Sequence, residues 1–379
     1  MNVEQNMTRI NKVDAVLKKP LRLKVCLIML IVSNLLSHSV FSDEPEHVRQ
    51  SVRALGMGGA FVAVANDEYA LYYNPAGLQS VQQTIVEIVT VGATTNQNLL
   101  DLQDVETSNT TATFGDLVGK NVYTEINMGA MSITAPGWGY SIFGNLLFNS
   151  IINNPQVPYF EMKAYYQYGM VGGFALSFMD EMLDVGIAMK SITRNGITKT
   201  VHVYDLLDDN FADNLEKEFV ERNIITHDIG VTYHLDQIAN LETKVSYVIR
   251  NIGGMDFGSA GQIPMTMDVG IATETEIAGL DFIFAIDYLD LANKLTQYQD
   301  YLRNLKAGAE VGCFKRSNGH HALSIRLGLN ASHYLSAGFS INIPGLPIKI
   351  DYAAWSEEIG FLAGKIEDKR QSANVSINF

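Results

Sequence analysis

Cysteine is almost missing from this chain, with two in 379 residues, so no disulfide framework organises it. Tryptophan is equally rare, proline numbers only 9, and charged residues make up just 18%. Basic residues are in deficit, 27 against 41 acidic ones, and a formal charge of -14 has the wrong sign for a protein that grips nucleic acid through its phosphates. Beyond the N-terminal region no apolar run reaches the ~18 residues of a membrane-spanning helix, so any membrane role there needs another architecture. What is present is 47% hydrophobic residue, 31 glycines, 17 tyrosines and 17 phenylalanines. That composition excludes disorder and suits β-structure.

The first segment has the order of an export signal. Lys18, Lys19, Arg22 and Lys24 precede an apolar run from Val25 to Leu36, and Ser39-Val40-Phe41-Ser42 follows as a small-residue cleavage region. The run is too short to span a hydrocarbon core as a helix. A Sec signal peptide over residues 1–42 is therefore expected, with the mature chain starting near Asp43. Its removal takes away six basic and two acidic residues, moves the formal charge from -14 to -18, and leaves Cys313 as the sole cysteine.

After about residue 84 the dominant period is two, as in strands whose faces meet different solvents. Leu323, Ile325, Leu327 and Leu329 alternate with Ser324, Arg326 and Gly328; Leu335, Ala337, Phe339 and Ile341 alternate with Ser336, Gly338 and Ser340. The same grammar runs through Leu183 to Met189, Ile229 to Leu235 and Met265 to Ile271. Some fifteen candidate strands result, including separate ones at 159–169 and 171–179, and one must be a split because bacterial single-chain barrels carry even strand numbers. Typical lengths match the ~9–11 residues of a tilted spanning strand. The second face holds Gly, Ser, Thr and Asn in place of the Lys and Glu of a soluble sandwich, as a polar lumen behind a lipid-facing wall requires.

Three stretches interrupt the strands. Gln97 to Lys120 reads as a long polar loop, the acidic stretch Tyr204 to Asn223 as a solvated excursion, and Leu289 to Leu305 as a short amphipathic helix over a loop. Tyr159, Phe160, Tyr165, Tyr166 and Tyr168 suit an interfacial aromatic girdle.

Ahead of the strands stands Val52-Arg53-Ala54-Leu55-Gly56-Met57-Gly58-Gly59-Ala60-Phe61, followed by Asn74-Pro75-Ala76-Gly77-Leu78. A dinucleotide loop wants a third glycine where Phe61 stands, so the cluster reads instead as small residues that let a compact segment pack against a barrel wall. Asn74-Pro75 breaks local structure and turns the chain toward its first strand.

This pair of elements resembles the N-terminal motif of FadL-type outer-membrane proteins, the long-chain fatty-acid transporter superfamily that includes PorV-like members. Arg250-Asn251-Ile252-Gly253, Ile263-Pro264 and Ile350-Asp351-Tyr352-Ala353 are more similar to the PorV-like branch. The resemblance implies an all-β, transmembrane antiparallel barrel of about 14 strands over 83–379 with a short N-terminal hatch, or plug, over 43–82. Arg53, Gly56, Gly58, Gly59, Asn74, Pro75 and Ala76 would be hatch residues. It implies passive, hatch-gated passage of long-chain fatty acids or other hydrophobic small molecules, with a PorV-like secretion or attachment accessory as the alternative. The partners implied are outer-membrane lipids, a hydrophobic ligand, the barrel assembly machinery and, in the alternative, secretion proteins. No ligand-pocket residue can be carried over.

Phe379 closes a final strand with Val375 and Ile377, as in a barrel assembly signal. No chemistry is compelled. His227 and His234 are an odd spacing apart, His320 and His321 are adjacent, and each pair falls on opposite strand faces, so neither can share a metal. The sequence carries no nucleophile or metal-ligand motif, and neither a cofactor nor a catalytic group is expected. Lys190, Lys244, Arg250, Arg326, Asp268 and Asp287 are candidate luminal charges, lining a permeation path or paired within the lumen.

Overall fold

The computed structural model describes residues 47–103, 119–153, 159–202, 204–205, 210–235, 237, 241–292, 294, 301–315, 321–331, 333–360 and 364–379. The expected signal peptide lies outside them.

The period-two segments pair into one closed antiparallel barrel of fourteen strands. In chain order these are β1 (Ile85–Asn96), β2 (Asn121–Ala135), β3 (Trp138–Asn153), β4 (Tyr159–Phe178), β5 (Leu183–His202), β6 (Val220–His234), β7 (Glu242–Arg250), β10 (Thr266–Ile277), β11 (Leu280–Tyr288), β12 (Leu305–Lys315), β13 (His321–Asn330), β14 (Tyr334–Asn342), β15 (Ile348–Glu358) and β16 (Glu367–Asn378). Two-residue strands β8 (Met255–Asp256) and β9 (Gln262–Ile263) pair only with each other. Closure comes from β1 against β16, with Val91 opposite Val375, and this removes the last free sheet edge.

Alternation has the expected physical meaning. Val91, Met128, Met170, Phe174, Ile286 and Leu327 are exposed on the outer wall, whereas Glu87, Asn127, Gln167, Lys190, Asp287 and Arg326, on the opposite face of their strands, are buried. These are the faces of a membrane-spanning barrel, apolar toward lipid and polar within. The wall is uneven: β4 and β5 each run 20 residues, whereas β7, β11 and β14 run 9.

Several sequence expectations are corrected here. The candidates 159–169 and 171–179 are one strand, β4, because its pairing with β3 and β5 passes unbroken through Gly169, Gly172 and Gly173. Tyr165 is no girdle residue. It is buried toward the lumen, one position out of phase with exposed Tyr166 and Tyr168. Of the helix expected over Leu289 to Leu305, residues 293 and 295–300 lie outside the described residues; the described ones form a turn and a 3-10 helix at Tyr301–Asn304, with Leu291 and Leu302 exposed. The polar loop after β1 begins with a helix, Gln97–Gln103, and the acidic excursion holds a helix at Phe211–Lys217 before β6 starts at Val220.

Short connections join β2 to β3, β4 to β5 and β10 to β11 at one end of the barrel, the end where β1 starts and Phe379 stands. Longer connections lie at the other, together with the short one from β13 to β14. Residues 47–81 fill the lumen between them, with helices α1 (Val52–Gly56) and α2 (Ala70–Tyr73) and a 3-10 turn at Pro75–Ser80.

Candidate functional site

The luminal segment is built to fit. Ser51 caps α1, its Oγ accepting from Ala54 N at 3.3 Å. This places Arg53 on the last turn, where it forms a two-point pair with Glu310 of β12 at 2.8 and 2.9 Å. The same guanidinium donates to Asn66 at 2.7 Å and Asp67 at 2.9 Å. Glu310 is shared with Arg326 of β13 at 2.5 Å. Next along the wall Lys349 reaches Glu68 at 3.0 Å and Asp351 at 3.3 Å. Two basic groups, Arg326 and Lys349, and four acidic ones, Glu310, Asp67, Glu68 and Asp351, thus share this network with Arg53, satisfying charges that would otherwise be costly to bury. Further round, Arg49 pairs with Glu87 of β1 at 2.7 Å and lies over the Tyr69 ring at 4.8 Å.

Electrostatics follow from that packing. Burial opposes the charge on Arg53, yet Glu310 and Asp67 outweigh it and hold the guanidinium well above its usual pKa. Burial pushes the Glu68 carboxyl up, but Lys349 overrides it and sets the value at about 2. Asp67 goes the other way: burial and then the adjacent Glu68 raise it, against the pull of Arg53.

The rest of the segment is held by backbone fit. Gly58 has φ of 68°, and a Cβ there would stand 2.6 Å from Leu329 N and 2.7 Å from Ala307 O, so the wall reserves that place for glycine. Gly56 lies against Gly338 and Arg326, and Gly59 against the Lys306 stem. Phe61 N and Val62 N donate to Asp287 of β11 at 2.5 and 2.6 Å. Asn74 caps the following turn, Oδ1 accepting from Ala76 N at 3.1 Å, while Nδ2 donates to Val62 O at 3.0 Å and Thr232 at 3.2 Å. Pro75 and Ala76 occupy room left by Gly186 and Gly230 of β5 and β6.

The seven motif residues therefore do not form one cluster. Gly56, Gly58 and Gly59 seat against β12–β14, Asn74 to Ala76 seat against β5 and β6, and Arg53 faces a cavity. Asn74 to Val62 O ties the halves. Phe379 joins β1 through paired backbone bonds with Val86, each 2.9 Å.

The cavity, about 750 Å³, opens at the short-turn end and is lined by Arg53, Asp67, Glu68, Glu310, Lys349 and Phe379 among others. The other candidate luminal charges are paired: Lys190 with Asp228 at 2.5 Å, Lys244 with Glu274 at 2.8 Å and Arg250 with Asp268 at 2.5 Å. Asp287 instead receives backbone amides. His234 bonds Asp184 at 2.7 Å while His227 faces outward, and His321 bonds Asp281; His320 lies outside the described residues. Sequence reasoning missed Glu310, Glu68, Lys349, Arg49 and Glu87. Asp67-Glu68, midway between the two motif halves, was the one local signal.

A fourteen-stranded membrane barrel whose lumen is filled by its own N-terminal segment is the class that this geometry defines. No family model matches the chain, and no curated protein sequence matches it. Among solved structures it is similar to the toluene transporter TodX of P. putida, at 12% identity over 86% of this chain and 97% of that one, with a TM-score of 0.48. It is also similar to a FadL homologue of Pseudomonas aeruginosa (11% identity, 89% and 99% covered, TM-score 0.49) and to the toluene transporter TbuX of Ralstonia pickettii (11%, 86% and 96%, 0.45).

Proposed function

We propose that this chain is a FadL-type outer-membrane barrel that passes hydrophobic small molecules, fatty acids or neutral hydrocarbons, by passive diffusion gated by residues 47–81 acting as a hatch. The observation that carries this reading is a closed barrel whose lumen is occupied by a segment held through replaceable ion pairs beside a cavity of about 750 Å³. Arg53, Gly56, Gly58, Gly59, Asn74, Pro75 and Ala76 serve as hatch residues, and Phe379 as the terminal residue that assembly machinery reads. Export by the Sec route and residence in a bacterial outer membrane complete the reading. Cargo supplies bias only if it binds the displaced hatch state more tightly than the seated one.

One observation favours a second reading, a PorV-like accessory that holds a secretion or attachment partner. The lumen is filled from the long-loop end as well, by residues 251–265. The test is uptake of oleate and of toluene by cells lacking their own transporter, at matched surface expression, comparing the intact chain with one in which Asn74-Pro75-Ala76 is replaced. Uptake by the intact chain that changes in the variant supports the hatch-gated transporter. No uptake of either compound by the intact, inserted barrel overturns it in favour of the accessory.

A further inference from the structure

The connection from β7 to β10 turns into the barrel. Its side chains Met255, Phe257, Ala260 and Ile263 are 2%, 0%, 1% and 2% exposed and join the same apolar cluster as the N-terminal segment. Ile192 belongs to that cluster and Ile224 packs against it, so the hairpin closes on an apolar patch of β5 and β6. The Phe257 ring lies 4.5 Å from the Arg194 guanidinium carbon, which also stands 3.9 Å from the Tyr165 ring. Four buried apolar side chains in a loop at a barrel rim mark an apolar seat beneath it.

The hairpin is weakly tied for its burial. Its root is fixed to β6 by Ile252 N donating to His227 O at 2.9 Å, while beyond Gly253 its backbone bonds such as Gly254 N to Asn251 O and Phe257 N to Gly261 O are internal. Ile252 O also accepts from Thr226 at 3.1 Å on the near side of the hinge, whereas beyond it Ala260 O and Asp256 O accept from Arg194 and Arg222 at 3.3 and 3.4 Å, near the long limit for hydrogen bonds. At its root Gly253 and Gly254 have φ of 89° and 71°, a conformation only glycine enters freely in both directions. Asn251 anchors the near side of that hinge through Lys190 and Asp228.

We propose that residues 251–265 are an internal occupant of an apolar binding seat, with Phe257 and Met255 standing where an uncharged apolar molecule binds once the hairpin swings out on Gly253-Gly254. This deepens the transport reading and rests on it. Ligand and hairpin then compete, so the apparent affinity for ligand is lowered by the fraction of barrels in which the seat is empty.

The test uses the full mature chain in detergent, in a Cys313→Ser background, with N-phenyl-1-naphthylamine as the neutral apolar probe. A nitroxide on Ser259→Cys, an exposed position, reports hairpin motion. Saturating probe is expected to mobilise the label, and Phe257→Ala is expected to tighten probe binding by roughly tenfold because it empties the seat. Heat-modifiable gel mobility establishes that both variants are folded barrels. A label that stays immobile at saturating probe overturns the proposal, as does Phe257→Ala with unchanged affinity or with no binding. Oleate and toluene uptake, read in parallel, separates the two ideas: a barrel that fails these tests and still takes up compound loses the hairpin proposal alone, whereas loss of uptake removes the transport reading too.

Discussion

The luminal segment is held in two different ways on two sides of the barrel. Toward β12, β13 and β15 charge is added to the glycine seats, with Arg53, Asp67 and Glu68 meeting Glu310, Arg326 and Lys349 beside a cavity. Toward β5 and β6 it is held by fit, with Pro75 and Ala76 against wall positions kept bare by Gly186 and Gly230. Charge pairs next to a cavity can be exchanged for water or for other ions; a backbone socket has no such substitute. On the proposed hatch reading the charged contacts let go first and the seat on β5 and β6 serves as the pivot.

The strongest break of this asymmetry is Glu310→Ala. It leaves Arg53 and Arg326 facing each other without their shared carboxylate, and stranding buried charges in this way costs about 3–5 kcal/mol. Steady open conductance in planar bilayers is expected from Glu310→Ala and absent from the intact barrel. Equal conductance of the two would show that the pair does not hold the segment. Gly58→Ala tests the fitted mode on the same wall. A Cβ pressed on three backbone atoms at positive φ costs about 2–4 kcal/mol in strain and overpacking. It should lower the temperature at which residues 47–81 become accessible to protease without making the barrel salt-sensitive, whereas Glu310→Gln, which keeps shape and removes charge, should make release less dependent on ionic strength.

The wall was legible because alternation is a local property, and any strand with lipid on one face and polar groups on the other writes it into five or six residues. It failed where the wall itself is unusual. In β4, Gly169, Gly172 and Gly173 break the alternation that pairing keeps, and the sequence reads as two strands. The luminal fillings were not legible for a different reason. Arg53 meets its carboxylate partner across 257 positions, and nothing near either residue announces the other. Met255, Phe257 and Ile263 lie in and beside strands of only two residues each, too short to write a period into the sequence, and their burial is set by the space above the N-terminal segment. The glycines of the motif were visible as small residues, but the matching bare positions Gly186, Gly230, Gly308 and Gly328 read only as ordinary luminal small residues.

Asn74→Ala sharpens the comparison at smaller amplitude. It removes one turn cap and the bond to Val62 O, for about 1–2 kcal/mol. Because it lies on the fitted side, its effect on protease accessibility should be the same at low and high salt; a strong salt dependence would place charge where the structure shows packing.

The mildest test is pH, which separates the two ends of the segment. At its start His47 stacks on Tyr73 at 4.6 Å and accepts from Arg250 at 2.8 Å. Burial first, then Arg250, Lys190 and Lys306, hold its pKa well below 6.5, so the seated form stays neutral. A released His47 takes up a proton as pH falls below 6.5 and the seated one does not, so this contact is complete above that pH and weakens beneath it. Glu68, at about 2 against an ordinary 4.5, adds stability that is complete above 4.5 and is lost as pH falls from there toward 2. Asp67 offsets part of that loss, because its raised value means that acid relieves a buried charge. Labels at Gln50→Cys and Gln82→Cys, in a Cys313→Ser background, should therefore loosen in separate windows, the first beginning near pH 6.5 and the second only below 4.5. His47→Gln should abolish the first window and leave the second in place. A single shared transition would mean that the segment moves as one body and that its two titrating contacts never act apart.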